Sequence, residues 1–194
     1  MNKQVKQKKQ KIAILSFGGL VTNAKKTAAL VKTKWSNKNS VQIPLEACRI
    51  SKTGKLVLAV SEEDGVNNDV YFATSKETDL NAAIANFMKV ENIGDKQIGV
   101  LDLTNKIASE RANKFANVSR NIALWARKAG YDAVVINLLG RAFKDKINIP
   151  FSVEAAVAYV QRMDAKLKKE QVAYLKTIPV GVTSPVLDLL KGKK

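Results

Sequence analysis

Histidine is absent from this chain of 194 residues, and cysteine occurs only once, at Cys48. The lack of histidine excludes Ser-His-Asp and Cys-His catalysis, histidine metal sites and the usual pH switch. A single cysteine excludes an intrachain disulfide and a cysteine-based zinc site. We interpret Cys48 as a buried core thiol rather than a nucleophile, because it lies in a strand-like run. Acid–base chemistry must therefore come from Asp, Glu, Lys, Tyr or backbone groups.

Hydrophobic runs are short throughout the sequence, and none approaches the roughly 20 residues that a membrane-spanning helix requires. The residues before Lys11 are mostly Lys, Gln and Asn, and the apolar run Ile12–Leu15 is too short for the core of a signal peptide. We therefore predict a cytoplasmic protein that does not associate with membranes. Its length and its hydrophobic content of 46% predict a single domain over residues 11–190, after a disordered basic tail over residues 1–10.

Acidic residues are few, since 17 Asp and Glu stand against 33 Lys and Arg and give a net charge of +16. Such a charge attracts polyanions, so the basic tails at both ends of the chain suggest nucleic acid as a partner. Aromatic residues make up only 6% and are not interleaved with the basic residues, so the pattern does not predict a stacking platform for single strands. Zinc-finger, helix-turn-helix and RNP signatures are also lacking. The alternative interpretation is that the lysines are solvated tails without a polyanionic partner.

Hydrophobic periodicity predicts both strands and helices. Strands are expected at 11–17, 41–50, 55–60, 69–74, 97–102 and 131–139, with a hairpin turn at Gly54 between the second and third. Helices are expected from Asn23 to about Trp35, from Thr78 or Asp79 onward, over Ser109–Lys128 with Gly130 behind it, from Ser152 onward, and around Val172 up to Pro179. The irregular order of these elements predicts an α+β fold, in which helices flank a small mixed β-barrel or a curved sheet.

A glycine turn directly after the first strand, Ser16-Phe17-Gly18-Gly19-Leu20, is the first candidate binding feature. Glycines allow a backbone to approach a ligand closely, and successive N–H groups in a turn can hold a carboxylate or a phosphate. The turn is not a P-loop, because Gly-Lys-Ser/Thr does not follow, and it lacks the third glycine of a dinucleotide site. A plain structural turn is the alternative.

The strand and turn over Ile14–Leu20 resemble the opening of the γ-glutamylcyclotransferase-like family, whose turn reads YGSL. Other stretches are similar to this family in matching order. They are Ile43–Ser51 with Gly54–Leu56, the helix from Asp79 to Glu91, the segment from Trp125 to Val135, the Ser152–Tyr159 helix and the Pro179–Pro185 tail. The resemblance covers most of the chain after the basic tail.

This resemblance implies a closed or nearly closed mixed barrel with a cavity and no metal or organic cofactor. The backbone amides of Phe17, Gly18, Gly19 and Leu20 would bind the α-carboxylate of a γ-glutamyl substrate. Glu91 would be the catalytic base that takes a proton from the substrate's α-ammonium group. The freed amine would attack the γ-carbonyl, form 5-oxoproline and expel an amine or an amino acid.

The turn departs from the family pattern at two positions, since the family usually has Tyr where Phe17 stands and Ser where Gly19 stands. Asn92 also follows Glu91, where the family usually has Gly. Because both changes in the turn remove a hydroxyl group, the chain has a second interpretation as a non-catalytic binding module on the same scaffold. A third interpretation is a basic protein that binds nucleic acid or another polyanion. For Glu91 itself, the alternative is a solvated side chain at a helix end.

Overall fold

The computed structural model describes residues 9–192 of the chain. Most of the predicted basic tail therefore lies outside the described residues, but Gln10 lies within them and donates from its backbone N–H to the Thr78 carbonyl. The described chain divides into two compact units. The first contains residues 9–16, 24–41 and 71–137, and the second contains residues 17–23, 42–70 and 138–192. The single domain over residues 11–190 stays a prediction.

Both units combine strands and helices, which confirms the mixed α and β class. The strands of the described residues are β1 (Ile12–Ser16), β2 (Gln42–Ile50), β3 (Leu56–Val60), β4 (Val66–Asp69), β5 (Tyr71–Thr74), β6 (Ile98–Asp102), β7 (Ile107–Ala108) and β8 (Ala133–Asn137). The helices are α1 (Ala24–Leu30), α2 (Leu80–Glu91), α3 (Glu110–Asn113), α4 (Ala116–Lys128), α5 (Lys144–Ile147), α6 (Val153–Gln161), α7 (Ala165–Thr177) and α8 (Pro185–Leu190). None of these helices combines the length and the hydrophobicity that crossing a bilayer requires.

The first unit contains a five-stranded sheet in the order β5-β1-β8-β6-β7. β1 and β8 are parallel, and the other neighbours are antiparallel. All five residues of β1 are buried, as its continuous apolar run predicts. The closed barrel, one of the two expected forms, is wrong for the described residues, because the strand order runs from β5 to the two-residue strand β7 and these two strands do not pair with each other. The other expected form, a curved sheet, stays a prediction. The second unit likewise has an open sheet of three strands, in the order β3-β2-β4.

In the second unit, β2 and β3 form the predicted hairpin, and Gly54 has the left-handed φ of 84° that such a turn favours. The outer edge of β3 is covered by side chains of α7. The side-chain amide of Gln171 accepts from the Leu56 N–H at 2.8 Å and donates to the Leu56 carbonyl at 2.9 Å. It therefore satisfies both backbone groups that a neighbouring strand would otherwise pair with at Leu56. The Tyr174 hydroxyl accepts from the Leu58 N–H at 2.9 Å. These contacts fasten α7 to the sheet.

Helix caps were predicted better than helix lengths. Asp79 and Ser152 cap α2 and α6 as expected, each accepting from the backbone N–H three residues ahead. Gly130, behind α4, has the expected positive φ of 72°. The helix expected over Ser109–Lys128 is instead two helices, because Phe115 leaves the helical conformation at φ −121° and ψ 57°. α1 ends at Leu30 rather than near residue 35, because residues 31–36 turn to pair with β5.

Candidate functional site

The predicted anion-binding turn belongs to the second unit. Phe17 and Leu20 are buried, whereas Gly18 and Gly19 are partly exposed. The Val21 N–H donates to the Gly18 carbonyl at 3.1 Å, which closes the turn. Neither Gly18 nor Gly19 has a positive φ, so backbone conformation does not require glycine at either position.

Packing does require a small residue at one of these two positions. A Cβ at Gly19 would lie 3.2 Å from Oγ1 and 3.3 Å from Cβ of Thr177, whereas a Cβ at Gly18 would have open space around it. The serine that the resembled family carries at position 19 would meet the same contact with Thr177. Close packing against the end of α7 therefore explains why glycine stands at position 19. It does not explain why glycine stands at position 18.

We predict different effects on stability for alanine at these two glycines. Gly18→Ala is expected to leave the free energy of unfolding unchanged or slightly higher, since alanine restricts the unfolded chain and meets no neighbour. Gly19→Ala is expected to be about 1 kcal/mol less stable than Gly18→Ala, because Thr177 must move to admit the methyl group. Urea unfolding of both variants measures the difference. Equal stabilities would contradict the packing explanation.

The predicted base, Glu91, belongs to the first unit and is the last residue of α2. Its side chain is 17% exposed, and its Oε1 accepts from the Lys26 ammonium at 2.9 Å. A carboxylate at the C-terminal end of a helix faces the negative end of the helix dipole, which costs about 0.3–1 kcal/mol. The Lys26 ammonium from α1 offsets that cost. Glu91 is therefore a half-enclosed carboxylate already paired with a primary ammonium group.

Topology places Glu91 at a particular edge of the first sheet. Leu15 is in register with Ile136, so the parallel strands β1 and β8 end together, at Ser16 and Asn137. β6 begins at the same edge, because Ile98 pairs with Asn137. α2 runs toward this edge and ends at Glu91, and six residues separate it from the start of β6. Ligands of open sheets commonly bind at the carboxyl ends of parallel strands.

Asn137 at this edge was not singled out from the sequence. Its Oδ1 atom is buried and accepts no hydrogen bond from any residue in the described part of the chain. Such orphaned acceptors are few in folded proteins, and a bound group is one of the explanations for them. The only sequence signal is an amide residue at the end of the apolar run Ala133–Ile136.

A groove of about 760 Å³ lies elsewhere in the first unit, between the start of α2, β6, β7 and α3. Its floor is aliphatic, with Leu80, Ile84 and Ile98 among the lining residues. Glu91 and Asn137 are not among its lining residues. The predicted base therefore does not line this groove.

Glu46 in β2 is a second carboxylate in an unusual environment; the sequence marks it only as a carboxylate near a strand end and predicts no role for it. It is 0% exposed. Its Oε1 accepts from the Ala47 N–H at 2.6 Å and from the Ser184 hydroxyl. Ser184 is the N-cap of α8, so Glu46 ties that helix to the second sheet. Its Oε2 is buried without a partner among the described residues.

Burial raises the pKa of Glu46 above its ordinary value of 4.5, although the hydrogen bonds from Ser184, Ala47 and Val186 partly oppose the effect. The Asp64 carboxylate raises it further. The available sequence signal was a charged residue inside the apolar run Ile43–Cys48.

Cys48 is buried, as expected for a core thiol. Burial raises the pKa of its thiol to about 12, and the nearby Glu46 carboxylate adds to the increase. A thiol with such a pKa is protonated near neutral pH and is a poor nucleophile. Among the described residues, no cluster of three or more Cys, Asp or Glu side chains has the arrangement of a metal site.

The chain was compared with protein-family models, with curated proteins and with solved structures, and no match was found in any of the three comparisons.

Proposed function

We propose that this protein is a γ-glutamylcyclotransferase-like enzyme, which converts a γ-glutamyl amine or peptide into 5-oxoproline and releases the amine. The observation that carries the proposal is the pairing of Glu91 with the Lys26 ammonium at 2.9 Å. The α-ammonium of a γ-glutamyl substrate is the same chemical group. The surroundings of Glu91 therefore accommodate the kind of cation that the proposed base must bind.

The proposed reaction needs only proton transfer and an acyl shift. Glu91 takes a proton from the substrate's α-ammonium, and the freed nitrogen attacks the γ-carbonyl carbon to form the ring amide. The original amide C–N bond breaks as the proton held by Glu91 passes to the departing nitrogen, and the second proton that the attacking nitrogen loses follows by the same carboxylate, so the products are 5-oxoproline and the amine as its ammonium ion. The five-membered ring closes within one molecule, so the protein mainly orients the chain.

Lys26 has a defined part in this proposal, because its ammonium stands where the substrate's ammonium would bind. The Lys26 side chain is 39% exposed. A pair with that much solvent contact contributes only about 0–1 kcal/mol, so a substrate can displace it at small cost. Lys26 is thus a stand-in for the substrate's ammonium and takes no part in the reaction.

The direct test is release of 5-oxoproline from a panel of γ-glutamyl amines, dipeptides and glutathione, measured by chromatography with the purified full-length protein. We expect release from at least one compound, with the free amine formed in equal amount. No release from any compound would contradict the proposed activity. A compound that raises the melting temperature without being converted would instead favour the non-catalytic binding module.

A further inference from the structure

The positive charge of the described chain is concentrated in the first unit. Within residues 9–192, that unit has sixteen Lys and Arg against seven Asp and Glu, whereas the second unit has twelve against ten. Two stretches of the first unit, 24–41 and 111–131, contain no acidic residue at all. Their ten cations are Lys25, Lys26, Lys32, Lys34, Lys38, Arg111, Lys114, Arg120, Arg127 and Lys128.

These two stretches meet in the fold. The Trp125 Nε1–H of α4 donates to the Asn39 carbonyl at 2.9 Å. The Phe72 ring of β5 lies 5.0 Å from the Trp125 ring, and Ser36 forms a bridge with Phe72. The segment over residues 31–39 is therefore held beside α4, along the β5 edge of the sheet.

The lysines of this segment are exposed. The Thr33 hydroxyl accepts from the Thr74 N–H at 2.9 Å, which holds this part of the segment against β5. The neighbouring Lys32 and Lys34 are both exposed, and so is Lys38.

Two further lysines extend the same region. Lys128 follows Trp125 by one helical turn, so it lies on the side of α4 that faces residues 31–39. The Lys11 ammonium lies 4.5 Å from the centre of the Tyr131 ring, and that ring stacks on Trp125 at 5.7 Å. We call the five exposed lysines, with the half-buried Trp125 among them, the basic surface; they are Lys11, Lys32, Lys34, Lys38 and Lys128.

The basic surface is not neutralised by the residues around it. None of its five lysines forms an ion pair with a carboxylate in the described part of the chain. The carboxylate nearest in sequence, that of Asp132, accepts from the Lys11 backbone N–H at 2.7 Å instead. An unneutralised set of lysines raises the local concentration of anions and binds a chain of phosphates well.

We propose that the basic surface binds single-stranded nucleic acid. Cations arranged around a half-exposed indole are the combination by which proteins hold single strands without sequence preference. The residues between the lysines are polar except for Trp35, which is half-buried and donates from its Nε1–H to the Thr27 hydroxyl at 2.9 Å, whereas a membrane surface would require protruding apolar side chains there. This inference does not depend on the proposed enzymatic function.

The test compares two variants with the same change in charge. Lys32→Glu/Lys34→Glu/Lys38→Glu alters the basic surface, and Lys166→Glu/Lys168→Glu/Lys169→Glu alters three exposed lysines at the start of α7 in the second unit. Binding of fluorescent 20-nucleotide RNA and DNA is followed by anisotropy at several salt concentrations. We expect the first variant to bind at least about 10-fold more weakly, with a salt slope reduced by about 2. The α7 variant should stay within about 3-fold of the wild type.

A variant with Gln at positions 32, 34 and 38 provides a milder change, and it should show the same reduced salt slope. Circular dichroism and thermal melting establish that each variant is folded. Equal weakening by the two Glu variants would overturn the inference, since it would show an effect of net charge alone. Absence of binding to either nucleic acid, or binding to phosphatidylserine vesicles only, would also overturn it.

Discussion

Replacing Glu91 with glutamine is expected to lower kcat for 5-oxoproline release by about 10²- to 10⁴-fold, the usual contribution of a general base. Glutamine keeps the size and shape of the side chain but cannot accept the proton from the substrate's α-ammonium. KM should rise as well, because the neutral amide binds that ammonium less strongly. Steady-state assays with the best substrate of the panel measure both constants.

Unfolding would not explain such a loss. Glu91 lies at the C-terminal end of α2, where removing a negative charge relieves its repulsion by the helix dipole. The ion pair lost with Lys26 contributes only about 0–1 kcal/mol. Thermal melting of Glu91→Gln should therefore give a transition close to that of the wild type.

Lys26→Met is the matched control, because it removes the other partner of the same ion pair and keeps the length of the side chain. Kcat should stay within about 10-fold of the wild type, and KM should fall, since the substrate no longer competes with the Lys26 ammonium for Glu91. If Glu91→Gln is as active as the wild type, Glu91 is not the base. If Lys26→Met is instead the inactive variant, Lys26 itself takes part in the reaction or in substrate binding, which contradicts the role proposed for it.

Local signals in the sequence were sufficient to predict those features of the fold that are decided by neighbouring residues. The apolar run of β1, the glycine of the β2–β3 turn and the caps Asp79 and Ser152 were all predicted correctly. These features are decided within a few residues, by burial on both faces, by a positive φ and by a side chain that accepts from the first turn. The assignment of Glu91 to the end of a helix was correct for the same reason.

Features that depend on distant partners were not predicted. β4 contains the polar pair Asn67 and Asn68, which is typical of a loop. Asn68 is nevertheless buried, because its side chain donates to the Thr183 carbonyl at 3.0 Å and accepts from the Thr183 N–H at 2.8 Å. A partner 115 positions away cannot be read from the local pattern. The basic surface was missed for the same reason, since its tryptophan and most of its lysines are about ninety positions apart in the chain.

Glu46 shows the same dependence on distant residues, and its removal is expected to have the largest effect on stability. Glu46→Ala leaves the Ala47 N–H and the Ser184 hydroxyl without their buried acceptor. Each unsatisfied group costs about 1–3 kcal/mol, so a loss on the order of 3 kcal/mol in the free energy of unfolding is expected. Ser184→Ala is the milder comparison at about 1 kcal/mol, since it removes the N-cap of α8 and keeps the carboxylate. Urea unfolding at pH 7 distinguishes the two.

Glu46→Gln reports on the charge of this buried group rather than on its shape. Because burial raises the pKa of Glu46, the folded state holds its proton more tightly than the unfolded state does. The contribution of Glu46 to stability is therefore greatest at acid pH, and it is lost as the pH rises from about 4.5 through the higher pKa of the folded state. Glutamine does not titrate, so the stability of Glu46→Gln relative to the wild type should increase over this range and then level off. If the difference in unfolding free energy between Glu46→Gln and the wild type stays constant between pH 4 and pH 8, Glu46 has the same proton affinity in the folded and unfolded states. The buried carboxylate would then impose no electrostatic cost on the fold.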